Sequence, residues 1–485
     1  MVDGHIVISI LTLIAYLAIS YVVGRLLVAR LTTHPSPLLL TGAPLIGAGI
    51  LALQLWLYGS VRLPWNRVTL LLPWLVLVLL SRRRFWAALV GDWELATQVG
   101  RALTRLEPLE LVLAVTGMVF ALTYLLNLVT QPVTGIDAIA MWLYKAKLYY
   151  AQNAVDLRPV APDDVYRNLD YPPLFSLMVS TLYVLMGRVD DIFGKSVNFL
   201  FFVVGTASFL ALVRSLMSRV LTVLFGFLLV AMPIFSFALF SSHYMGWADY
   251  PFGIWMLVAL IYLFDGVRAD DGVSLLFAMI AAAMAALTKN EGLSFLAIIL
   301  LLLGYRLARK LAASRALPPI EPRLLATGLL ALAPVVLWQL YIRSRGFDHA
   351  VLSHRQWGQL LAALPGRAVQ IVRGTRPLAT FALDYPWIAV SFVLASLLLF
   401  IRRPRISGWV YAAVAGQIAA YFIAYLLTPY DLDYILSTTL GRLFLQLAPS
   451  ILLLLAITLG QPEAAVQDAT VKPTNNAANV ERAAR

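Results

Sequence analysis

The sequence predicts an all-α polytopic membrane protein, and three observations carry that reading. The 485 residues are 61% hydrophobic and only 13% charged, against about 25% charged in soluble domains. Apolar runs near the ~20 residues that cross a bilayer recur along almost the whole chain. The basic residues gather in short segments between those runs, the distribution that sets topology in membranes. It also accounts for the net charge of +12 without nucleic acid as a partner. Cysteine is absent. That excludes disulfides and thiolate chemistry and suits large loops in an oxidising compartment.

Apolar length predicts about thirteen spans: 6–28, 38–58, 68–81, 108–129, 196–213, 219–240, 250–264, 272–287, 292–307, 324–343, 384–401, 407–427 and 439–460. The first run, Ile6 to Val28, is long enough to stay as a span, and no cleavable signal peptide is expected. The third is short and contains Pro73. Alternation then puts "SRRRFW", "GRALTR", "RSLMSR", "YRLARKLAASR" and "RRPR" on one side, the cytoplasm by the positive-inside rule. The N-terminus falls outside. The polar tail 461–485 falls inside and reads as disordered.

The outer side receives 130–195, "SSHYMGWADYP", "TKNEG", the stretch from "RSRGFDHAVLSHRQWGQ" to 383, and "TPYDLDYILS". Most of the unusual polar residues are in these segments. The apolar segment 172–187 would invert everything downstream if it crossed. It is expected to lie in the outer interface, entered through Pro172 and Pro173. The chain divides into added N-terminal helices (1–107), a core with outer loop 130–195 (108–310), closing C-terminal helices (311–460) and the tail. No short-period repeat and no soluble domain are evident.

Asp137 opens the helical stretch "TGIDAIAMWLYKAKLYY". It is either an N-cap or a reactive carboxylate, and a cap also fixes a carboxylate in position. Lys145 and Lys147 fit snorkelling to headgroups, and Trp142 and the tyrosines fit interfacial anchors. In "NLDYPPLFSL", Asp170 and Tyr171 precede a rigid turn. His243 and Asp249 lie at the outer end of one span and before the next in "SSHYMGWADYPFG". His243 has no metal-ligand spacing, and Asp249 is either a cap or a second acid. Lys289 and Glu291 in "ALTKNEGLSF" are either a helix-ending turn, with Asn290 and Gly292 in special backbone conformations, or a cavity-facing pair. Asp431 and Asp433 form a weak Asp-x-Asp metal signal. Arg442 sits inside the last apolar run, where an arginine faces protein or a polar path, and its fork suits phosphate.

An outer Asp opening a Trp-containing helix, then "YPPL", "ADYP" and "ALTKNEG", resembles in order the GT-C glycosyltransferases of the family 39-like branch. That branch includes protein O-mannosyltransferases and the lipid A aminoarabinose transferase. The resemblance covers roughly 108–310. It implies a GT-C-like fold with interfacial helices in the first large outer loop, and a polyprenyl-phosphate sugar donor used at the outer face of a bacterial-type inner (plasma) membrane. Within it, Asp137 maps to the family's catalytic acid, Pro172, Pro173 and Leu174 to its "PPL" segment, and Asp249 to its second outer acid. Two departures stand out. Ala138 follows Asp137 where the family commonly has an acid pair, and about four spans precede this loop instead of one.

The expected reaction moves a sugar to an extracytoplasmic hydroxyl on a glycolipid, polysaccharide or protein, with inversion. Asp137 would be the base and Asp249 would orient acceptor or sugar. Lys289 and Arg442 would hold the donor phosphate. Trp142, Lys145, Tyr171, His243 and Glu291 would complete the substrate site. No cofactor is expected, and divalent metal is not required. The rival classes are a lipid-linked glycan transporter or flippase, marked by mid-bilayer charges and related halves, and a diphosphate-donor polymer ligase.

Overall fold

A computed structural model describes residues 2–33, 35–160, 168–231, 245–314, 321–347, 357–374, 386–402, 406–428 and 430–460. Among these no strand occurs. The helices are α1 (Val2–Leu31), α2 (Pro37–Ser60), α3 (Arg67–Leu80), α4 (Arg82–Leu103), α5 (Pro108–Thr130), α6 (Leu143–Gln152) and α7 (Leu174–Met186). They continue with α8 (Asp191–Gly194), α9 (Val197–Leu216), α10 (Arg219–Val230), α11 (Asp249–Arg268), α12 (Gly272–Thr288) and α13 (Glu291–Ser314). The last are α14 (Pro322–Ser344), α15 (Trp357–Gly374), α16 (Pro386–Arg402), α17 (Ser407–Leu427) and α18 (Leu432–Gly460).

Among the described residues nine helical stretches are long and apolar enough to cross a membrane. Every predicted span meets an apolar helix, but α3, α10, α12 and α16 are shorter than those nine. Residues 232–240 of the predicted span 219–240, and 384–385 of the span 384–401, lie outside the described residues. The outward faces remain apolar: α5 alone exposes Leu109, Val112, Val115, Met118, Val119, Leu122 and Leu126. Soluble surfaces rarely carry so continuous an apolar face, so the chain is a polytopic membrane protein.

Local chemistry sets the helix starts. Ser36 caps α2 ahead of Pro37, Asn66 and Thr69 form a reciprocal capping box on α3, and Asp271 caps α12 through two backbone N–H groups. Such caps satisfy donors that the helix cannot. At the centre is α11, whose residues from Asp249 to Phe264 are all buried, against α12, α18 and α9 above all.

Contacts sort the loops to two ends of the bundle. Ser36 donates to Asp265 near the C-terminus of α11 at 2.8 Å. At that end Arg306 and Lys310 meet Asp270, and Arg402 donates to the Thr458 carbonyl. Asp249 begins the same helix sixteen residues earlier, about 24 Å away at 1.5 Å per residue. The basic anchors and the acid–aromatic motifs therefore occupy opposite ends, as alternation predicts.

Three expectations need correction. Residues 172–187 do not form a half-exposed interfacial helix: α7 is buried from Leu174 to Leu185. Apart from Ser176, Ser180 and Thr181 it is apolar all round, and such a helix belongs inside. Its 13 residues rise about 20 Å, too short to cross the hydrocarbon alone. The region from "SRRRFW" to "GRALTR" is largely the helix α4, not a loop. Lys145 and Trp142 do not reach headgroups, being 0% and 1% exposed, whereas Lys147 is half-exposed and pairs with Asp191 at 2.8 Å.

Candidate functional site

Five of the predicted site residues converge at the acid–aromatic end. Asp249, in the first turn of α11, is 5% exposed and accepts from three side chains. Lys289 Nζ reaches Oδ1 at 3.0 Å, Gln446 Nε2 reaches Oδ1 at 2.6 Å, and Arg442 Nη2 reaches Oδ2 at 2.6 Å. The same Nη2 lies 2.7 Å from Asp137 Oδ2. Lys289 Nζ also lies 3.0 Å from Glu291 Oε1. The result is one chain of alternating charge: Asp137, Arg442, Asp249, Lys289, Glu291.

Backbone shape makes this possible. Arg442 and Gln446 are four apart on α18, so they share a face. α18 reaches Asp249 because Gly253, one turn further along α11, has no side chain. A Cβ there would be 2.8 Å from the Gln446 carbonyl oxygen. Gly292 plays the matching part at the α12–α13 corner, where a Cβ would be 2.2 Å from the Ala285 carbonyl oxygen. Neither Asn290 nor Gly292 has a positive φ, so this turn needs a small residue and not a special conformation. Gly246 does need one, at φ 87. It lies against Ala138 and delivers Trp247, whose ring stacks 4.2 Å from the Arg442 guanidinium.

Neither acid is a helix cap. Asp137 has helical φ −63 and ψ −37 and makes no capping bond. It enters a π-type turn, Ala138–Trp142, an irregularity frequent at functional sites. Its carboxylate is aimed by Arg442, not by the backbone. Asp249 likewise spends its oxygens on side chains. Its place in the first helical turn adds a favourable dipole interaction.

Exposure grades the cluster. Asp249 and Lys289 form a buried floor, with side chains 7% and 4% exposed. Asp137, Arg442 and Glu291 form a partly open rim at 22–23%. Formal charge is three carboxylates against two cations, net −1. Burial pulls the Lys289 ammonium down, but Asp249 and Glu291 more than offset it, so its pKa stands above the usual lysine value. Arg442 engages both carboxylates through Nη2.

The "NLDYPPL" turn closes one side. Asp170 Oδ2 accepts from Asn290 Nδ2 at 2.8 Å, and the Tyr171 ring lies 5.9 Å from Lys289 Nζ. Glu291 and then burial push the Tyr171 phenol well above its usual pKa, so it stays neutral. Behind it, Lys145 Nζ donates to the Asn168 carbonyl at 2.6 Å and the Tyr171 carbonyl at 3.2 Å. Burial lowers Lys145 to about 7, with Asp170 opposing the shift. Trp142 packs edge-on against Tyr171 and Phe175. Lys145 and Trp142 thus hold the loop from behind. His243 lies outside the described residues.

Gln446 and Trp247 escaped sequence reasoning. Gln446 had a signal in its spacing from Arg442; Trp247 had only its closeness to Asp249. Asp431 caps α18 through the Tyr434 N–H, which accounts for half of the Asp-x-Asp pair. Among the described residues no group of three His, Asp or Glu is arranged to hold a metal ion. No family model, curated protein or solved structure matches the chain.

Proposed function

We propose that this chain is a membrane glycosyltransferase of the GT-C kind. It moves a sugar from a polyprenyl-phosphate donor to a hydroxyl acceptor on the extracytoplasmic face. The observation that carries the reading is the Asp137 carboxylate: partly exposed, aimed by one guanidinium, and beside a buried acid already saturated with donors.

In this reading the donor phosphate approaches Arg442 where its side chain is partly exposed. It competes with Asp137 for the guanidinium, and binding the donor frees the carboxylate it needs. The acceptor oxygen then attacks the anomeric carbon, and the carbon–oxygen bond to phosphate breaks. The leaving phosphate keeps the electron pair, and the acceptor proton passes to Asp137. Arg442 and Lys289 stabilise the charge that grows on the phosphate. Asp249 serves as the fixed anion that positions both cations. Glu291 and Tyr171 are placed to contact sugar or acceptor.

The charge cluster lies where α11 and α13 begin and α12 ends, not along a path through the bundle. That favours surface transfer over a transport route, whose charges belong at the midplane. The test offers purified protein radiolabelled polyprenyl-phosphate hexoses and pentoses beside diphosphate-linked glycans, with membrane extract as acceptor. Label transfer from the monophosphate donors is expected. Use of diphosphate donors alone, or lipid movement across vesicles without transfer, overturns the proposal.

A further inference from the structure

The opposite end of the bundle carries a cleft of its own. Where α3 turns into α4, a cleft of about 500 Å³ is lined by Arg30, Arg82, Arg83 and Arg84, with Leu79 and Leu80 beside them. Several other basic residues at this end are matched to carboxylates: Arg25 to Asp92, Arg219 to Glu110, and Arg306 and Lys310 to Asp270. Among the described residues, none of the four cleft arginines makes an ion pair. Four like charges gathered without a counter-ion repel one another, and an anion between them relieves that repulsion.

The cleft is built, not incidental. Arg25, 4% exposed, holds Asp92 of α4 through Nε at 2.7 Å and Nη2 at 3.3 Å, and Tyr21 donates to the same carboxylate. This clamp fixes α4 against α1, so Arg82–Arg84 at its start stay near Arg30. Two further features select an amphiphile over a soluble anion. Leu79 and Leu80 are 60% and 76% exposed at the cleft. Trp86, Val90 and Trp93, at helical spacing, form an exposed stripe on α4, the pattern of a helix lying in a membrane interface.

We propose that this cleft binds the phosphate headgroup of an anionic phospholipid in the leaflet at that end, with the acyl chains against α3. The site is independent of the glycosyl-transfer reading. The test is native mass spectrometry of the full-length protein exchanged into detergent with equimolar phosphatidylglycerol and phosphatidylcholine. The wild type should retain phosphatidylglycerol selectively. Each basic residue near an anionic surface is worth roughly fivefold. The triple variant Arg82→Gln, Arg83→Gln, Arg84→Gln should therefore lose that retention on the order of a hundredfold. Removing three charges elsewhere at the same end, by Arg101→Gln, Arg105→Gln and Arg309→Gln, should leave it intact. If the triple cleft variant is not monodisperse, Arg83→Gln alone replaces it, with about a fivefold loss expected. Equal loss in the control variant means diffuse attraction and overturns the site. So does displacement of the lipid by millimolar inorganic phosphate, or retention without preference for the anionic lipid.

Discussion

Arg442 Nη2 sits 2.7 Å from Asp137 Oδ2 and 2.6 Å from Asp249 Oδ2, so one nitrogen links an acid on the rim to an acid in the floor. The two acids are not equivalent. Asp249 accepts from Lys289, Arg442 and Gln446, whereas Asp137 has Arg442 as its ion-pair partner and makes no capping bond. A carboxylate surrounded by cationic donors is a poor base and a good anchor. One held by a single displaceable partner can take a proton once that partner turns to a phosphate.

Asp137→Asn should therefore separate chemistry from folding. The amide keeps the size of the side chain and can still meet Arg442, and no cap is lost. Transfer should fall about 10²–10⁴-fold, the range for removing a positioned base, with the thermal midpoint in detergent almost unchanged. Initial rates and a melting curve on the same preparation decide the matter. Full activity removes Asp137 from the base role.

Arg442→Lys keeps the charge but loses the planar guanidinium that stacks on Trp247 and carries nitrogens besides the one shared by the two acids. A compact ammonium cannot hold Asp137, Asp249 and a phosphate together. The donor KM should rise about tenfold, with the acceptor KM much less affected. Steady-state kinetics with each substrate varied will show it, and an unchanged donor KM takes Arg442 out of phosphate binding.

The bundle was legible in the sequence because hydrocarbon length and charge segregation are one-dimensional signals. Each predicted span met an apolar helix, and the two ends separated as alternation required. The failures have physical causes. Arg82, Asp92 and Arg101 made α4 look like a loop, because an amphipathic helix resting on a bundle has no apolar run. α7 was read as interfacial although its composition, apolar nearly all round, is that of a buried helix. At the site, residue identities were readable, since a charge beside an apolar run is costly without a reason. Their pairing was not: the bonds from Asp249 to Lys289 and Gln446 join distant parts of the chain. The sequence left Asp137 open between a cap and a reactive carboxylate, because the residue type suits both and only its backbone, already helical, rules out the cap.

Gly253→Ala tests the close approach that brings α18 to Asp249. The new Cβ meets a backbone carbonyl at 2.8 Å, so the helices must part and Gln446 and Arg442 retreat. Destabilisation of about 1–3 kcal/mol is expected, together with a raised donor KM. Gly304→Ala, where a Cβ meets nothing within 4 Å, should be neutral or stabilising by up to about 1 kcal/mol. Chemical unfolding of both variants supplies the comparison. Equal behaviour means that the approach is not limiting.

Lys145 gives the fold a pH dependence of its own. Burial lowers it from 10.5 to about 7 while it holds the Asn168 and Tyr171 carbonyls. Below about pH 7 both folded and unfolded chains carry the proton, and the full cost of a buried ammonium is present. Between that point and the unfolded value, the unfolded chain keeps a proton that the folded chain has released. The unfolded state then binds more protons, so stability rises with pH, by up to about 1.4 kcal/mol per unit. Lys145→Met removes this contribution. It will also loosen the Asn168–Tyr171 turn, so absolute midpoints will differ and only the slopes are compared. Melting temperatures from pH 6 to 9 should climb more steeply in the wild type above pH 7 than in the variant. Parallel curves would show that Lys145 keeps its proton in the fold, held by Asp170 against its burial.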